Sequence, residues 1–289
     1  MAAPKAVVGV SWLQERIASP GLCILDASWY LPADDRDCRA EHAAAHIPGA
    51  VFFDIDTHVD RHSDLPHMLP PPEQFTTAMR ELGINQDDHV VVYDSAGLFS
   101  AARAWWMLRV FGHGRVSVLD GGLPAWKLAG GALVSTAQER AAERPSGDFT
   151  ASTPDATLLR SLQQVRHALA TGGEQILDAR PAPRFRGEVP EPRPGLRAGH
   201  MPGALNLPYA QVLDPDTGLL LPPDRLRQQF LDAGVDLQRP LVTSCGSGVS
   251  ACILSLALAH ACGIDAPVYD GSWAEWGREH EPTPVEPAQ

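Results

Sequence analysis

No C-x-x-C pair occurs among the five cysteines, which stand at positions 23, 38, 245, 252 and 262. That odd, scattered set excludes a zinc ribbon and argues against a disulfide framework. It fits a reducing compartment with one reactive thiol among structural ones. No apolar run reaches the roughly 18 residues that a membrane-spanning helix needs. Basic charge is scarce as well. The 23 Lys and Arg against 35 Asp and Glu leave a formal net charge of −12, which disfavours nucleic acid or an anionic membrane surface as a partner. Met1 to Gln14 holds a single Lys and only short apolar pieces. It has neither the h-region of a signal peptide nor the Arg-rich character of a transit peptide, so a cytoplasmic location is expected.

What is present centres on the stretch from Pro240 to Ala251. Leu241, Val242 and Thr243 read as a buried strand, and Val249 to Ala261 reads as a buried helix closed by Gly263. Between them lies a loop of Cys245, Gly246, Ser247 and Gly248. Its two glycines permit a tight turn that aims several N–H groups inward. A sulfur at a helix N-terminus faces the positive end of the helix dipole, which favours the nucleophilic thiolate. A cysteine phosphatase needs an Arg in the loop to grip phosphate, and none lies between Cys245 and Ala251. A G-x-S-x-G elbow is excluded because Cys245 and Val249 stand where glycine is required. Sulfur transfer needs a thiolate and a ring of N–H donors, and the loop offers both.

The chain also repeats itself. Leu25-Asp26-Ala27 recurs as Leu177-Asp178-Ala179, and Ala45-His46-Ile47-Pro48-Gly49-Ala50 as Gly199-His200-Met201-Pro202-Gly203-Ala204. Asp94 occupies the place of Cys245, and Asp120-Gly121 with Trp126 answers Asp270-Gly271 with Trp273 and Trp276. Offsets stay between 150 and 154 residues. This is one domain duplicated in tandem rather than a solenoid. In each half strands alternate with helical patterns, such as those at 72–82 and 101–111, which predicts a mainly parallel sheet flanked by helices. The expected limits are 1–140 and 157–280, with a linker at 141–156 and an extended or disordered tail at 281–289. Only the second half keeps a thiol in the loop.

Cys-Gly-Ser-Gly-Val-Ser-Ala at 245–251 resembles the active-site loop of the 3-mercaptopyruvate sulfurtransferases, a branch of the rhodanese family. The thiosulfate-using branch carries charged residues just after its cysteine, where this chain has Gly246 and Ser247. The resemblance covers nearly the whole chain. It implies an α/β fold of two tandem rhodanese-like domains with the active site at the interdomain cleft. It further implies that Asp56 and His67, eleven residues apart, join Ser247 in a serine-protease-like relay beside the Cys245 nucleophile.

Arg184, Arg186, Arg193 and Arg197 crowd fourteen residues of an acidic chain, a local anion site suited to the carboxylate and carbonyl of an α-keto acid. In the family the two substrate arginines lie nine apart, which selects Arg184 and Arg193; Arg186 is expected to be structural. The implied reaction takes sulfur from 3-mercaptopyruvate onto Cys245 as a persulfide cradled by Gly246, Ser247, Gly248, Val249 and Ser250. Pyruvate leaves, and the sulfur passes to thioredoxin, another thiol or cyanide. No metal or organic cofactor is expected. Two alternatives stay open: a thiosulfate-preferring enzyme, and a non-catalytic sulfur carrier or binding module on the same fold. Trp105, Trp106, His46, His200 and Cys252 read as packing or turn residues.

Overall fold

The structure, a computed structural model, describes residues 4–139 and 145–286. They divide into two compact units. One comprises the chain up to Val59 with Pro70–Asp155 and Asp216–Leu219; the other comprises Asp60–Leu69, Ala156–Pro215 and the chain from Leu220 on. By their contacts, 60–69 group with the second unit and 216–219 with the first.

The first unit holds strands β1 (Val7–Val8), β2 (Leu22–Asp26), β3 (Ala50–Phe52), β4 (His89–Tyr93) and β5 (Val116–Leu119) with helices α1 (Val10–Gln14), α2 (Cys38–Ala44), α3 (Pro72–Glu81), α4 (Ala101–Val110) and α5 (Gly122–Leu128). The second holds β6 (Leu159–Arg160), β7 (Gln175–Asp178), β8 (Leu205–Asn206), β9 (Leu241–Ser244) and β10 (Val268–Tyr269). Its helices are α6 (Leu162–Thr171), α7 (Ala182–Phe185), α8 (Pro223–Asp232), α9 (Ala251–Cys262) and α10 (Ser272–Trp276). The sheets run β1-β5-β4-β2-β3 and β6-β10-β9-β7-β8, the same order twice, and every strand pairing within them is parallel. Central strands of such sheets are covered on both faces and read as continuous apolar runs. Val90, Val91, Val92 and Tyr93 of β4, and Leu241 and Val242 of β9, are accordingly buried.

Helices α4 and α9 follow the central strands β4 and β9. They are apolar nearly all round because little of either meets water; Trp105 and Trp106 of α4 and Cys252 of α9 are buried as expected. Gly263 closes α9 in the left-handed conformation, with φ of 66°.

Two connecting segments are held by contacts that composition does not disclose. Of the linker at 141–156, residues 141–144 lie outside the described residues, while 145–155 are stitched to the first unit. Gly147 donates to the Arg80 carbonyl, Phe149 to Ile84, Ser152 to Phe111 and Asp155 to Val110. The Phe149 ring is wholly buried and meets Phe75 edge-on at 5.9 Å. One aromatic anchor outweighs a polar, proline-bearing surround. The tail, expected to be extended or disordered, is extended and docked as far as 286. His200 and Glu286 exchange backbone hydrogen bonds of 3.0 and 2.9 Å, Trp276 Nε1 donates to the Pro284 carbonyl, and Val285 packs on the second core. Residues 287–289 lie outside the described residues.

Candidate active site

Parallel β-strands deliver their following loops to one edge of the sheet, and in such folds ligands gather there. Asp178 pairs with Ser244 at the ends of β7 and β9, and Ala179 N–H caps the Ser244 carbonyl at 2.8 Å. Cys245 follows immediately. Helix α10 fixes its backbone: Trp273 N–H donates to the Cys245 carbonyl at 2.9 Å and Ala274 N–H to Gly246 at 2.8 Å. Cys245 N–H donates to Ser272 Oγ at 3.1 Å, and that hydroxyl donates to the Tyr269 carbonyl. Ser272 sits at φ of 48°, a left-handed conformation costly for a serine and held by these contacts. The Cys245 side chain is 1% exposed.

The loop then turns around the sulfur. Gly248 takes φ of 75°, where a side chain would be strained. Among the described residues no acceptor meets the N–H groups of Gly246, Ser247, Val249 or Ser250. A ring of unmet amides ahead of a buried helix is a nest for an anion.

The first unit shows the same frame with the nest filled. Ala27 N–H caps Tyr93 at 2.8 Å and Leu123 N–H donates to the Asp94 carbonyl at 2.9 Å, the counterparts of Ala179 and Trp273. Asp94 stands in place of the cysteine, 1% exposed. Its Oδ2 accepts from Phe99 N–H at 2.7 Å and Ala101 N–H at 2.8 Å, and its Oδ1 from Ala96 N–H at 3.0 Å. The first loop carries its own anion.

His67 and Ser247 meet: Nδ1 lies 3.0 Å from the Ser247 hydroxyl, and both residues are buried. His67 adopts φ of 61°, a strained conformation for a non-glycine residue. The flanking segment holds it there, with Asp60 N–H donating to Met68 O at 2.9 Å and Leu69 N–H to Asp270 Oδ2 at 2.8 Å. Asp56 belongs to the first unit, where its carboxylate accepts the Trp29 indole N–H at 2.7 Å.

Of the four clustered arginines, Arg184 reaches the cysteine loop. A Cβ built on Gly246 would lie 3.2 Å from Arg184 Nη2, so glycine at 246 leaves the space that the guanidinium uses. Arg193 lies half-exposed in the loop beyond α7. Arg186 is on the surface, paired with Glu188 at 2.6 Å. Arg197 is spent on carbonyls of Trp276 and Thr283 at 2.9 and 2.8 Å.

Sequence reasoning missed three residues behind Arg184. Glu191, its side chain 1% exposed, accepts from Arg184 through both oxygens, Nη2 to Oε2 and Nε to Oε1. Arg180, equally buried, donates through Nη1 to Glu191 Oε1 at 2.8 Å and through Nε to Asp178 Oδ2 at 2.9 Å. Their signal is the run Asp178-Ala179-Arg180 at the end of β7, where charges directly after an apolar strand face a ligand edge. Among the described residues no cluster of three or more His, Cys, Asp or Glu side chains is arranged to hold a metal ion, and no helix is long and apolar enough to cross a membrane.

Two α/β units of one topology, each with a parallel sheet, one loop bearing a cysteine and the other an aspartate at the same place, define a tandem duplication of one α/β domain. A family model of the rhodanese-like domain matches residues 10–129 and again 161–279, and the chain belongs to that family. It is 48% identical over 284 residues to 3-mercaptopyruvate sulfurtransferase of Escherichia coli K12, covering 98% of each chain. It is 43% identical over 296 residues to thiosulfate/3-mercaptopyruvate sulfurtransferase 1 of Arabidopsis thaliana, covering 97% of this chain and 78% of that one. Among solved structures, that of SseA from Escherichia coli, reported for the rhodanese fold and catalytic mechanism of 3-mercaptopyruvate sulfotransferases, superposes with a TM-score of 0.84. There the identity is 45%, over 94% of this chain and all of that one.

Proposed function

We propose that this protein is a 3-mercaptopyruvate sulfurtransferase with Cys245 as its nucleophile. The observation that carries the reading is the open ring of loop amides around a buried cysteine, with Arg184 against Gly246. Arg184 and Arg193 hold the keto-acid carboxylate and carbonyl, a pairing that guanidinium forks match in shape and charge. The Cys245 thiolate attacks the substrate sulfur. The new S–S bond forms as the substrate C–S bond breaks, and the electron pair passes to carbon as the enolate of pyruvate. A proton equivalent to that of the substrate thiol then reaches this carbon, with Ser247 and His67 as the hydroxyl and imidazole in position to carry it.

Cys245 is left as a persulfide anion, stabilised by the N–H groups of Gly246, Ser247, Val249 and Ser250 as a developing charge is in an oxyanion hole. A thiol such as that of thioredoxin, or cyanide, takes the outer sulfur and restores the thiolate.

The relatives' names divide between the two donors, and thiosulfate remains the runner-up. The uncharged Gly246–Ser247 pair favours mercaptopyruvate, because a side chain at 246 would intrude on Arg184. The test compares both donors at equal concentration with a thiol acceptor, following pyruvate and sulfite. Preference for mercaptopyruvate, with a 32 Da gain on Cys245 by mass spectrometry (about the mass of one sulfur, added as a persulfide) that Cys245→Ser abolishes, is expected. Faster sulfite release would transfer the reading to thiosulfate, and wild-type protein without added sulfur would end it.

A further inference from the structure

Arg184 is the outermost member of a buried chain of alternating charge. Asp178 closes β7 and is 1% exposed. Its carboxylate takes Arg180 through Nε at 2.9 Å and Nη2 at 2.8 Å. Arg180 also donates to the Gly199 carbonyl at 2.9 Å and lies 4.2 Å over the Trp273 ring, the residue whose N–H holds the Cys245 carbonyl. Its remaining arm donates to Glu191, and Glu191 grips Arg184. Two carboxylates and two guanidiniums balance, so the chain is neutral before any substrate arrives. Arg180 is locked on every side by strand, carbonyl, ring and carboxylate. Arg184, 23% exposed at its side chain, has Glu191 as its one ion-pair partner among the described residues.

We infer that Glu191 is the positioning residue for substrate binding: it transmits the fixed geometry of Asp178 and Arg180 to Arg184 and aims that guanidinium across Gly246 at the substrate carboxylate. This rests on the mercaptopyruvate reading above. A long side chain left to itself loses rotamer entropy each time it binds, and a bidentate carboxylate removes that cost in advance. Glu191 also opposes substrate binding by partly neutralising Arg184, so orientation and charge act with opposite sign on KM. That opposition makes the two separable.

Steady-state kinetics with 3-mercaptopyruvate are measured for wild type, Glu191→Gln, Glu191→Asp, Arg184→Ala and the double variant E191Q/R184A, with thermal melting of each. Glu191→Asp keeps the charge and withdraws the carboxylate by one methylene, and it serves should Glu191→Gln fold poorly. KM is expected to rise roughly tenfold in both single Glu191 variants, the loss of one charge-assisted hydrogen-bonding partner, with kcat changed by less than about twofold. In the Arg184→Ala background the Glu191 effect should vanish, since it acts only through Arg184. Arg184→Ala leaves Glu191 and Asp178 to share Arg180, so it should melt below wild type, and its kinetics are read at a temperature where it is folded. A lower KM in Glu191→Gln would mean that charge outweighs orientation and would overturn the inference. A KM unchanged in both variants, or raised equally with and without Arg184, would overturn it as well. Wild-type protein that leaves 3-mercaptopyruvate untouched would refute the parent reading, and this one with it.

Discussion

Replacing Asp94 should show what it costs to leave a loop nest without the carboxyl group that fills it. In the first unit three loop amides converge on that carboxylate at 2.7, 2.8 and 3.0 Å, in a place 1% exposed. Asp94→Ala orphans all three. A buried donor left unmet costs about 1–3 kcal/mol; the Ala101 amide is buried and those of Phe99 and Ala96 only partly so, so the gross loss is about 3 kcal/mol rather than three full penalties. An opposing contribution exists: burial pushes the Asp94 carboxyl up in pKa against the pull of its amides, so the charge itself is a burden that the alanine removes. We therefore expect a net loss of about 3 kcal/mol. Asp94→Asn should cost about 2 kcal/mol, because its oxygen can keep two amides while its NH2 must face the third. Urea unfolding followed by tryptophan fluorescence measures both, the first unit supplying Trp12, Trp29, Trp105, Trp106 and Trp126. The ordering matters as much as the size. Stability unchanged within about 0.5 kcal/mol in Asp94→Ala, or Asn worse than Ala, would show that these amides do not require an anion. The same inference for the Cys245 loop would then lose its internal control.

Two other perturbations test different parts of the molecule. His89 donates from Nε2 to Ser117 Oγ at 2.9 Å, the hydroxyl itself donating to the Lys5 carbonyl. Burial, with Arg115 and His113 nearby, pushes its imidazole down from 6.5 to about 4. The unfolded chain therefore binds this proton first, and stability is full above about pH 6.5 and falls as pH drops toward 4. Full burial would make the loss about 3 kcal/mol; partial exposure brings it to about 2 kcal/mol. His89→Gln keeps the donor without titrating and should flatten that slope in melts taken between pH 7 and 4.5; an unchanged slope would assign the acid sensitivity elsewhere. Gly246→Ala places a Cβ 3.2 Å from Arg184 Nη2. The guanidinium must yield by a few tenths of an ångström, and the KM for mercaptopyruvate should rise about fivefold, worth roughly 1 kcal/mol. An unaltered KM would mean that Arg184 does not bind substrate from this position.

The fold was legible because duplication printed it twice. The motifs at 25–27 and 177–179 mark the ends of β2 and β7, and the apolar runs after Asp94 and Cys245 can only be helices buried against a parallel sheet. Ser247 and His67 were legible through resemblance, and they meet. The docking of the connecting segments was not legible for a plain reason. Composition over 145–155 and 281–286 is that of loops, yet a single Phe149, or a Thr283 and Val285, docks the backbone, and one buried ring outweighs ten polar neighbours. Arg180 and Glu191 escaped for a deeper one. The family resemblance singled out Arg184 and Arg193, as the pair expected to face a ligand. What makes Arg184 competent lies inward, in a carboxylate seven residues on and a guanidinium four residues back, joined only when β7 and the loop beyond α7 fold together. A motif names the residues that touch a substrate. The buried charges that aim them are fixed by packing, so a short pattern records such residues, as Glu191 is recorded in Glu-Pro-Arg, without revealing what they do.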